Sequence, residues 1–567
     1  FWRMLSPKSQ SNRISLTNAD GEPIHADQCA SALNDHFTSV FSSANTTDTV
    51  TLPESAAVAM PEIEITPEGI FLLINNLKVS SSAGCDSINS KLLKNTVSVS
   101  SQILCLIFTQ SLQTGNVPDD WKKAQVIPIF KSGNRAIPAN YRPISLTSIP
   151  SKMLEHIIAS NLMTYLESIK FFFDHQHGFR KQLSCETQLA EFTHDILHFM
   201  DENLQTDAIF LDFSKAFDRV PHNLLLSKLC NLGIPPNIIF WIENFLKNRK
   251  QFTSANDHDS PLSDVTSGVP QGACLSPLLF LIYINDLPTN VLTKLRLFAD
   301  DCVLYSPICT PDDSIKLQHD LNLIVTWCDK SLMPLNLTKC KIMSFTRKKS
   351  PEKFTYSIKS VPISPTLSYK YLGVHLSSSL SWSTHIQIIC SEASRTLGYL
   401  RRNLKLASPD IKKLAYETYV RPKLEYACSI WQPSQTYLTN DLERIQNRAA
   451  RFIYSQYSND ISVTALKESL KLPSLESRRI ISRLCLMHAF YYHPQSRHVL
   501  LQPSHRTSSR INHSHPIAPI NGHTSAMITS FFPNGITLWN KLPDNIVTCN
   551  NRQIFRSKLK CHMSQSN

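Results

Sequence analysis

The chain has 567 residues, of which 42% are hydrophobic and 18% are charged, and its formal net charge is +12. This composition is typical of a globular protein of roughly two to four domains and excludes a fibrous or disordered chain. No apolar run approaches the roughly 18 residues of a membrane span, and the first residues lack the pattern of a signal peptide. The 15 cysteines include no C-x-x-C pair, which argues against a zinc ribbon or a disulfide framework and favours a reducing, intracellular compartment. The basic excess suits either a polyanionic partner such as nucleic acid or a plain basic surface.

The predicted elements fall into five segments along the chain. Residues 1–60 are rich in Ser, Thr and Asn and predict a linker or the edge of an upstream region. Residues 61–124 show helical patterns, residues 125–377 alternate strand-like and helix-like runs, and residues 378–493 are nearly all helical in pattern. Residues 494–567 hold many His, Ser, Pro and Asn and predict a basic, loosely ordered tail; from Ile481 to Asn567 there are nine Lys or Arg and one acid, Asp544.

Several runs are clear enough to assign individually. AQVIPIF, DAIFLDF, KLRLF and CVLYS predict strands, and SKMLEHIIASNLMTYLE predicts a helix. SPLLFLIYINDL predicts a second helix, with Ser276 as its N-cap and Pro277 at its first position. In YLTNDLERIQNRAARFI the apolar residues recur at spacings of three and four, which predicts one buried helix face: Leu438, Leu442, Ile445, Ala449 and Phe452.

Carboxylates interrupt two of the apolar strands. KLRLF and CVLYS predict a short antiparallel hairpin with Asp300 and Asp301 at its tip, and such a pair taken alone is most often a solvated turn. Asp212, however, lies within the apolar run from Ala208 to Phe213, where a charge is costly unless it is paired or binds a metal. If the two strands are neighbours, Asp212 comes against Asp300, and such hard oxygen ligands suit Mg²⁺. Two such ions about 4 Å apart activate an attacking hydroxyl and stabilise the leaving oxygen in phosphoryl transfer.

Seven motifs, in a fixed order, resemble those of a known family. They are NYRPISL (Asn140 to Leu146), HQHGFRKQLSCETQL (His175 to Leu189), FLDFSKAFDRVPH (Phe210 to His222), SGVPQGACLSPLLFLIYINDLP (Ser267 to Pro288), FADD (Phe298 to Asp301), LNLTKCKIMSF (Leu335 to Phe345) and YLGVHL (Tyr371 to Leu376). Each motif is modest alone, but the ordered set resembles the reverse transcriptase of a non-LTR (LINE-type, jockey-like) retrotransposon over nearly the whole chain.

The resemblance implies a fold and an activity. The fold is an α/β (α+β) right-hand polymerase, with fingers and palm around a central antiparallel sheet at 125–377, an N-terminal helical extension of the fingers at 61–124, and an all-helical thumb at 378–493. The activity is RNA-directed DNA polymerisation, in which deoxynucleotides are added to a primer 3′-OH on an RNA template. The implied partners are the RNA template, a DNA primer or target DNA and deoxynucleoside triphosphates, with no membrane. The implied location is the nucleus or cytoplasm, as a ribonucleoprotein.

The resemblance also implies catalytic roles for individual residues. Asp212 and Asp300 ligate two Mg²⁺ ions, for which Mn²⁺ is a possible substitute, with the Phe213 carbonyl assisting and Asp301 beside them. Phe217 lies five residues after Asp212, at the position of the family's steric gate against a ribose 2′-OH; the alternative is an ordinary core phenylalanine.

Further residues are implied to bind substrates. Lys131 and Arg142 grip the triphosphate, and Gln271 lies near the sugar and base. Lys339 protonates the departing pyrophosphate, although Lys341, two residues later, competes for that role.

A last set is implied to contact the primer and template. It consists of Gly272, Tyr371, Leu372, Gly373, Arg444 and Arg448. With Arg451, the last two recur at helical spacing, and a plain solvated helix face is the alternative.

The sequence departs from the family pattern in places. Gln182 and Cys185 stand where the family commonly has a Gly and a small Ser or Thr, and GCDS at Gly84 to Ser87 replaces the usual GPDG. No endonuclease precedes Phe1 and no ribonuclease H pattern follows, which predicts a partial polyprotein lacking its endonuclease.

Two kinds of alternative function stay open. One is another polymerase, such as a viral RNA-dependent RNA polymerase or a group II intron maturase. Phe217 argues against the first, and AFDRVPH with YLGV argues against the second. The other is a catalytically inactive nucleic-acid-binding relic, against which the three intact aspartates argue.

Overall fold

A computed structural model gives the fold and describes residues 13–18, 20–42, 59–458, 460–492, 501–504 and 513–565. Its strands are β1 (Lys123–Phe130), β2 (Tyr141–Leu146), β3 (Gln205–Leu211), β4 (Arg249–Ala255), β5 (His258–Asp259), β6 (Ser263–Val265), β7 (Lys294–Phe298), β8 (Asp301–Ile308), β9 (Lys341–Phe345), β10 (Ser357–Ile358), β11 (Val361–Pro362), β12 (Ser364–Pro365), β13 (Ser368–Tyr371) and β14 (Val374–Ser377).

In the described part of the chain, the helices up to residue 330 are α1 (Cys29–Thr38), α2 (Pro67–Asn76), α3 (Ser90–Asn95), α4 (Val97–Thr114), α5 (Asp119–Lys122), α6 (Ile149–Ser168), α7 (Cys185–Asp201), α8 (Ala216–Arg219), α9 (His222–Cys230), α10 (Pro236–Leu246), α11 (Ser276–Ile284) and α12 (Pro311–Lys330). The later ones are α13 (Ser383–Asn403), α14 (Pro409–Ala415), α15 (Arg421–Glu425), α16 (Thr436–Tyr454), α17 (Val463–Ser469), α18 (Leu475–Tyr492), α19 (Ser525–Ile528), α20 (Phe531–Trp539), α21 (Asp544–Val547) and α22 (Arg552–Gln565). The mixed α/β class expected from the sequence is confirmed. None of the described helices combines the length and the apolarity that crossing a membrane requires.

The chain divides into two compact units. The first comprises Phe1–Asp174, Asp212–Val291 and Asn322–Asn336, and the second comprises His175–Leu211, Leu292–Leu321 and Leu337–Asn567.

The first unit contains a mixed five-stranded sheet in the order β2-β1-β4-β5, with β6 also paired to β4. The predicted strand AQVIPIF is confirmed as β1, which pairs antiparallel with β2 and parallel with β4. Helix α1 packs on this sheet, and Leu33 and Phe37 are buried in one cluster with Val126 and Tyr141. The predicted linker is therefore wrong for residues 13–18 and 20–42, because the apolar face of α1 completes the core; residues 1–12 and 43–58 lie outside the described residues.

Two predicted helices of the first unit are present, and one predicted cap is wrong. SKMLEHIIASNLMTYLE lies within α6, and SPLLFLIYI forms α11. Leu275, not Ser276, precedes the first turn of α11 as its N-cap residue, and the buried Ser276 hydroxyl has no hydrogen-bond partner among the residues that the structure describes. The Glu155 carboxylate of α6 instead accepts hydrogen bonds from the backbone N–H groups of Cys274 at 2.7 Å and Leu275 at 3.3 Å. A carboxylate at a helix N-terminus stabilises the exposed N–H groups and the helix dipole.

The second unit contains a five-stranded sheet in the order β12-β9-β3-β8-β7. Strand β3 is buried at all seven positions and pairs antiparallel with β8 and β9, which confirms the predicted pairing of the two carboxylate-bearing runs. Phe192 of α7 packs edge-to-face against four aromatic side chains of this unit: Phe210, Tyr305, Phe345 and Tyr371. These rings fix the position of α7 on the sheet.

Helices α13–α18 follow β14 in the second unit and confirm the helical pattern from residue 378 onward. The five predicted core positions of α16, Leu438, Leu442, Ile445, Ala449 and Phe452, are all buried.

The C-terminal segment is folded where the structure describes it. Helices α19–α22 bury large apolar side chains, among them Phe532, Trp539 and Phe555. The Asp201 carboxylate, at the end of α7, accepts hydrogen bonds from the backbone N–H groups of His523 and Thr524, both at 2.7 Å. The predicted loosely ordered tail is therefore wrong for residues 513–565, because its apolar residues recur at helical spacing despite the polar composition; residues 493–500 and 505–512 lie outside the described part.

Candidate active site

Asp300 and Asp301 lie at the tip of the predicted hairpin, which is confirmed. Strands β7 and β8 are antiparallel, and their last pair is Phe298 with Asp301. The two-residue turn between them is Ala299–Asp300, and Ala299 adopts a φ of +54°. A non-glycine residue in this region costs roughly 1 kcal/mol, so the surrounding structure has to hold the turn in place.

The side chain of Gln176 holds this turn. It is 2% exposed, and its Oε1 accepts hydrogen bonds from the backbone N–H groups of both Gly178 and Ala299, each at 2.9 Å. On either side of it, the His177 N–H donates to the Leu297 carbonyl at 2.9 Å, and the Leu297 N–H donates to the His175 carbonyl at 3.0 Å. A side chain at Gly178 would collide with the backbone of Ala299. The HQHG segment therefore braces the hairpin that carries the two aspartates.

A buried ion network anchors β7 to α7. The Arg296 guanidinium is hydrogen-bonded to Glu191, to Asp195 at 2.9 Å and to the Tyr305 hydroxyl at 2.6 Å. Burial alone raises the pKa of Glu191, but hydrogen bonding to His175 and the charge of Arg296 lower that pKa to about 2. Burial is likewise outweighed at Asp195, where Arg296 and then Lys294 lower the pKa to about 2. Both carboxylates are therefore held ionised beside one buried cation.

Asp212 is the residue directly after β3, not within the strand as the sequence suggested. Strand β3 ends at Leu211, which is paired with Cys302 of β8. Within the first unit, the Asp212 carbonyl accepts a hydrogen bond from the Asn336 N–H at 2.7 Å, and the next residue, Phe213, forms an antiparallel bridge with Leu335. Asp212 is half-buried, so leaving the strand spares its carboxylate the cost of full burial.

Phe217, Gln271 and Gly272 lie in the first unit, where they share one neighbourhood. The Phe217 ring is half-buried and stacks on Phe280, with ring centroids 4.4 Å apart. Gly272 has a φ of +116°, and a Cβ there would lie 2.7 Å from the Ser145 carbonyl oxygen of β2. The PQG loop thus approaches β2 as closely as only glycine permits.

The two residues predicted to bind the triphosphate, Lys131 and Arg142, both lie at the β1–β2 strand pair. Lys131 follows β1, is exposed, and its N–H donates to the Asn140 carbonyl at 2.8 Å. Arg142 is exposed on β2, opposite Ile129. Both cations are therefore exposed, at or next to β2, the strand at one edge of the first unit's sheet.

The remaining predicted residues lie in the second unit. Lys339 is exposed in the turn before β9, whereas Lys341 is half-buried within that strand. Lys339 is therefore the more accessible of the two lysines. Arg444 and Arg448 are exposed on α16, and Arg444 forms a 3.0 Å ion pair with Asp441.

The YLGVHL motif forms the β13–β14 hairpin. Its turn residues Leu372 and Gly373 have φ values of +44° and +85°, and the Leu372 carbonyl accepts a hydrogen bond from the Tyr426 hydroxyl at 2.9 Å. The Tyr371 side chain is only 3% exposed, and its hydroxyl accepts a hydrogen bond from Gln188 at 3.0 Å. The Tyr371 ring belongs to the core, whereas Gly373 in the turn is exposed, and the primer contact of this motif stays a prediction.

Both departures from the family's glycines fall on strained backbone. Ser87 and Gln182 have φ values of +59° and +64°, a region that favours glycine. Cys185 does not affect the N-terminal cap of α7, because that cap comes from Ser184, whose Oγ accepts a hydrogen bond from the Thr187 N–H at 3.3 Å.

The chemistry of the carboxylates fits Mg²⁺, although within the described residues no group of three or more His, Cys, Asp and Glu side chains is arranged to hold a metal. Asp300 and Asp301 supply hard oxygen donors from one turn. In polymerase-type sites Mg²⁺ uses one or two carboxylates, water and substrate phosphates rather than a complete protein cage. A partial carboxylate set is therefore what such a site requires before substrate binds.

Sequence reasoning missed three residues that shape these surroundings. Gln176 and Asp218 lie inside quoted motifs without an assigned role, and Glu155 lies in a helix read only for its apolar face. The only signal for Gln176 is its place in a family motif, two residues before Gly178. No local pattern reveals the other two, because each one's hydrogen-bond partners lie far away along the chain.

Comparison of the sequence with known proteins finds one family model and several curated relatives that it resembles. Residues 123–376 match the family model of reverse transcriptase (RNA-dependent DNA polymerase). The chain is 29% identical over 435 residues to the probable RNA-directed DNA polymerase from transposon BS of Drosophila melanogaster, covering 74% of this chain and 48% of that protein. It is 27% identical over 490 residues to the RNA-directed DNA polymerase from mobile element jockey of the same species, covering 81% and 52%.

A further relative is the RNA-directed DNA polymerase from mobile element jockey of Drosophila funebris, 30% identical over 412 residues, with 70% of this chain and 44% of that protein covered. The chain thus spans about half the length of the curated relatives it matches. The resemblance to the polymerases of jockey-like elements is confirmed, and residues 123–376 match the reverse transcriptase family.

Proposed function

We propose that this chain is an RNA-directed DNA polymerase of a non-LTR retrotransposon, which adds deoxynucleotides to a primer 3′-OH on an RNA template and releases pyrophosphate. The observation that carries the proposal is the register of β3 and β8. Leu211 of β3 pairs with Cys302 of β8, and this is the last residue pair between the two strands. Asp212 directly follows Leu211, and Asp301 directly precedes Cys302, so both aspartates lie next to that pair. The match of residues 123–376 to the reverse transcriptase family supports the same reading.

Asp212, Asp300 and Asp301 would hold the metal ions, with the Phe213 carbonyl as a further oxygen donor. Mg²⁺ bound there supplies positive charge to the attacking hydroxyl, the transferred phosphoryl group and the leaving pyrophosphate, and Mn²⁺ is a possible substitute. The chain's own contribution is rigidity, since Gln176 and the paired strands fix the turn that carries Asp300. Such fixed electrostatics need no reorganisation during the reaction.

The incoming deoxynucleoside triphosphate would contact residues of the first unit. Lys131 and Arg142 are exposed cations on β1–β2, which suits the triphosphate. Phe217 would stand under the sugar as the steric gate, with its ring held by Phe280. Gln271 would face the sugar and base, and Lys339 is the candidate acid for the pyrophosphate.

The template and primer would be contacted by exposed arginines and by backbone groups of glycine-containing turns. The exposed Arg444 and Arg448 of α16 would contact phosphates, in a thumb formed by the helices from residue 378 to 493. The Leu372–Gly373 turn and Gly272 would approach the primer–template duplex with backbone groups. Phosphate contacts release bound counterions, so we expect hybrid binding to weaken as the salt concentration rises.

Primer extension tests the proposal. The purified chain is supplied with an RNA template, an annealed DNA primer, deoxynucleotides and Mg²⁺, beside Asp300→Ala and a matched control, Asp312→Ala, at an exposed position in the first turn of α12. We expect Asp300→Ala to lose extension by about a thousandfold or more while hybrid binding stays nearly unchanged, and Asp312→Ala to behave as wild type.

Two outcomes would contradict the proposal. Substantial extension by Asp300→Ala would remove this residue from the metal site. Hybrid binding without extension by the wild-type chain would support the inactive nucleic-acid-binding alternative.

A further inference from the structure

The short helix α8, which carries Phe217, and the loop that carries Gln271 are joined by a ladder of hydrogen bonds within the first unit. The Val269 N–H donates to the Phe217 carbonyl and the Gly268 N–H donates to the Val220 carbonyl, both at 2.8 Å. The His222 ring is hydrogen-bonded to the Gly268 carbonyl, also at 2.8 Å. These bonds join the segment of the proposed gate directly to the segment of the proposed sugar contact.

Asp218 lies at the centre of this ladder. Its carbonyl oxygen accepts a hydrogen bond from the Ser267 hydroxyl at 2.9 Å. Gly268, with a φ of +86°, lies so close that a Cβ there would be 2.6 Å from the same oxygen. The Asp218 carboxyl is buried, and one of its oxygens accepts a hydrogen bond from the Gln271 Nε2 at 2.8 Å. Burial raises the pKa of this carboxyl, and the hydrogen bond from Gln271 opposes that shift because it stabilises the ionised form.

This last bond determines which way the Gln271 amide faces. A glutamine amide can be turned over with little change in shape, and only its hydrogen-bond partners distinguish oxygen from nitrogen. A carboxylate only accepts hydrogen bonds, so it selects the NH₂ group and turns the Oε1 acceptor away from Asp218. The Gln271 main chain is fixed separately, because its carbonyl accepts a hydrogen bond from the Ser145 N–H of β2 at 2.8 Å. With both ends held, Gln271 presents one defined donor–acceptor pattern.

We propose that Asp218 is a positioning residue for the nucleotide site, which orients the Gln271 amide toward the deoxynucleoside triphosphate. This inference rests on the proposed polymerase function. Asp218 itself touches neither substrate nor metal; its effect passes through Gln271. Loss of the carboxylate therefore weakens nucleotide binding more than it slows the chemical step.

A double-mutant cycle in the full chain tests this. The variants are Asp218→Leu, Asp218→Asn, Gln271→Met, the combination of Asp218→Leu with Gln271→Met, and the exposed-carboxylate control Asp264→Asn of β6. KM and kcat for a deoxynucleotide are measured by primer extension on RNA, and folding is checked by thermal unfolding.

We expect Asp218→Leu to raise KM about tenfold, the size of a lost hydrogen bond to a charged group, with kcat changed much less. Asp218→Asn keeps a neutral acceptor and should fall between Asp218→Leu and wild type. In the Gln271→Met background, Asp218→Leu should raise KM by less than about twofold, because the interaction through which it acts is already absent. Asp264→Asn should leave both constants unchanged.

The outcomes separate this inference from the function on which it rests. An active wild type with the same KM increase for Asp218→Leu in both backgrounds would mean that Asp218 acts without Gln271, and the inference would be wrong. If Asp218→Leu fails to fold, an Asp218→Asn variant with wild-type KM would equally overturn it. A wild type without any extension would refute the polymerase function, and this inference would fall with it.

Discussion

Replacing Arg296 by Met removes the cation from the buried network that ties β7 to α7, while keeping most of the side-chain volume. Arg296 is 5% exposed and is the shared partner of Glu191, Asp195 and Tyr305. The substitution removes the buried counter-ion that the Glu191 and Asp195 carboxylates share, and Asp195 keeps only its pair with the half-exposed Lys294. Breaking a buried pair by removing one partner is strongly destabilising, because the remaining charge stays desolvated.

The lowered pKa values set the size of the effect. Ordinary values are 4.5 for Glu191 and 3.8 for Asp195, and both pKa values are about 2 in the folded chain. At neutral pH these differences correspond to about 3 and about 2 kcal/mol. Because one guanidinium serves both groups, the two values overlap, and we expect Arg296→Met to lower the free energy of unfolding by about 3–5 kcal/mol.

The pH dependence identifies the cause. Each carboxyl has a lowered folded-state pKa, so its stabilisation is present above about pH 4 and is lost as the pH falls toward about 2. In Arg296→Met the buried carboxyls lack their cation and bind protons at higher pH, which relieves the charge. The difference from wild type should therefore be largest near about pH 7.5 and smaller near about pH 4.

Chemical denaturation followed by tryptophan fluorescence at both pH values measures this difference. The matched control is Lys294→Met on the same strand, which also pairs with Asp195 at 2.9 Å but has a side chain that is 47% exposed. An exposed pair contributes less than about 1 kcal/mol. Equal losses for the two variants, or a loss for Arg296→Met that does not change with pH, would refute the reasoning.

Three further substitutions follow from the same structure. Gln176→Leu removes the acceptor for the Gly178 and Ala299 N–H groups, so it should lower the free energy of unfolding by about 1–3 kcal/mol and reduce primer extension while hybrid binding stays unchanged. Wild-type stability together with wild-type extension would show that Gln176 does not hold the turn. Gln182→Gly relieves a left-handed backbone and should raise the free energy of unfolding by up to about 1 kcal/mol, seen as a higher unfolding midpoint, whereas a lower midpoint would show that the side chain matters more than the strain. Phe217→Val should let the chain incorporate ribonucleotides, and an unchanged preference for deoxynucleotides in extension assays would remove Phe217 as the gate.

Periodicity and motif order were sufficient for much of this chain. The alternating runs around Asp300 and Asp301 predicted the hairpin, and the spacing of Leu438 and Leu442 predicted the buried face of α16. These features are local, because a strand or helix repeats its contacts over a few residues. The motif order predicted the resemblance to reverse transcriptases, whose family model matches residues 123–376.

Tertiary structure alone decided what surrounds these elements. The Ala299 turn is held by Gln176, 123 residues earlier in the chain, and α11 is capped by Glu155, 119 residues before Cys274. A local pattern cannot reveal a hydrogen-bond partner brought near only by packing. For the same reason composition misjudged residues 513–565, since whether Trp539 is buried depends on the helices available to cover it rather than on the polar residues around it in sequence.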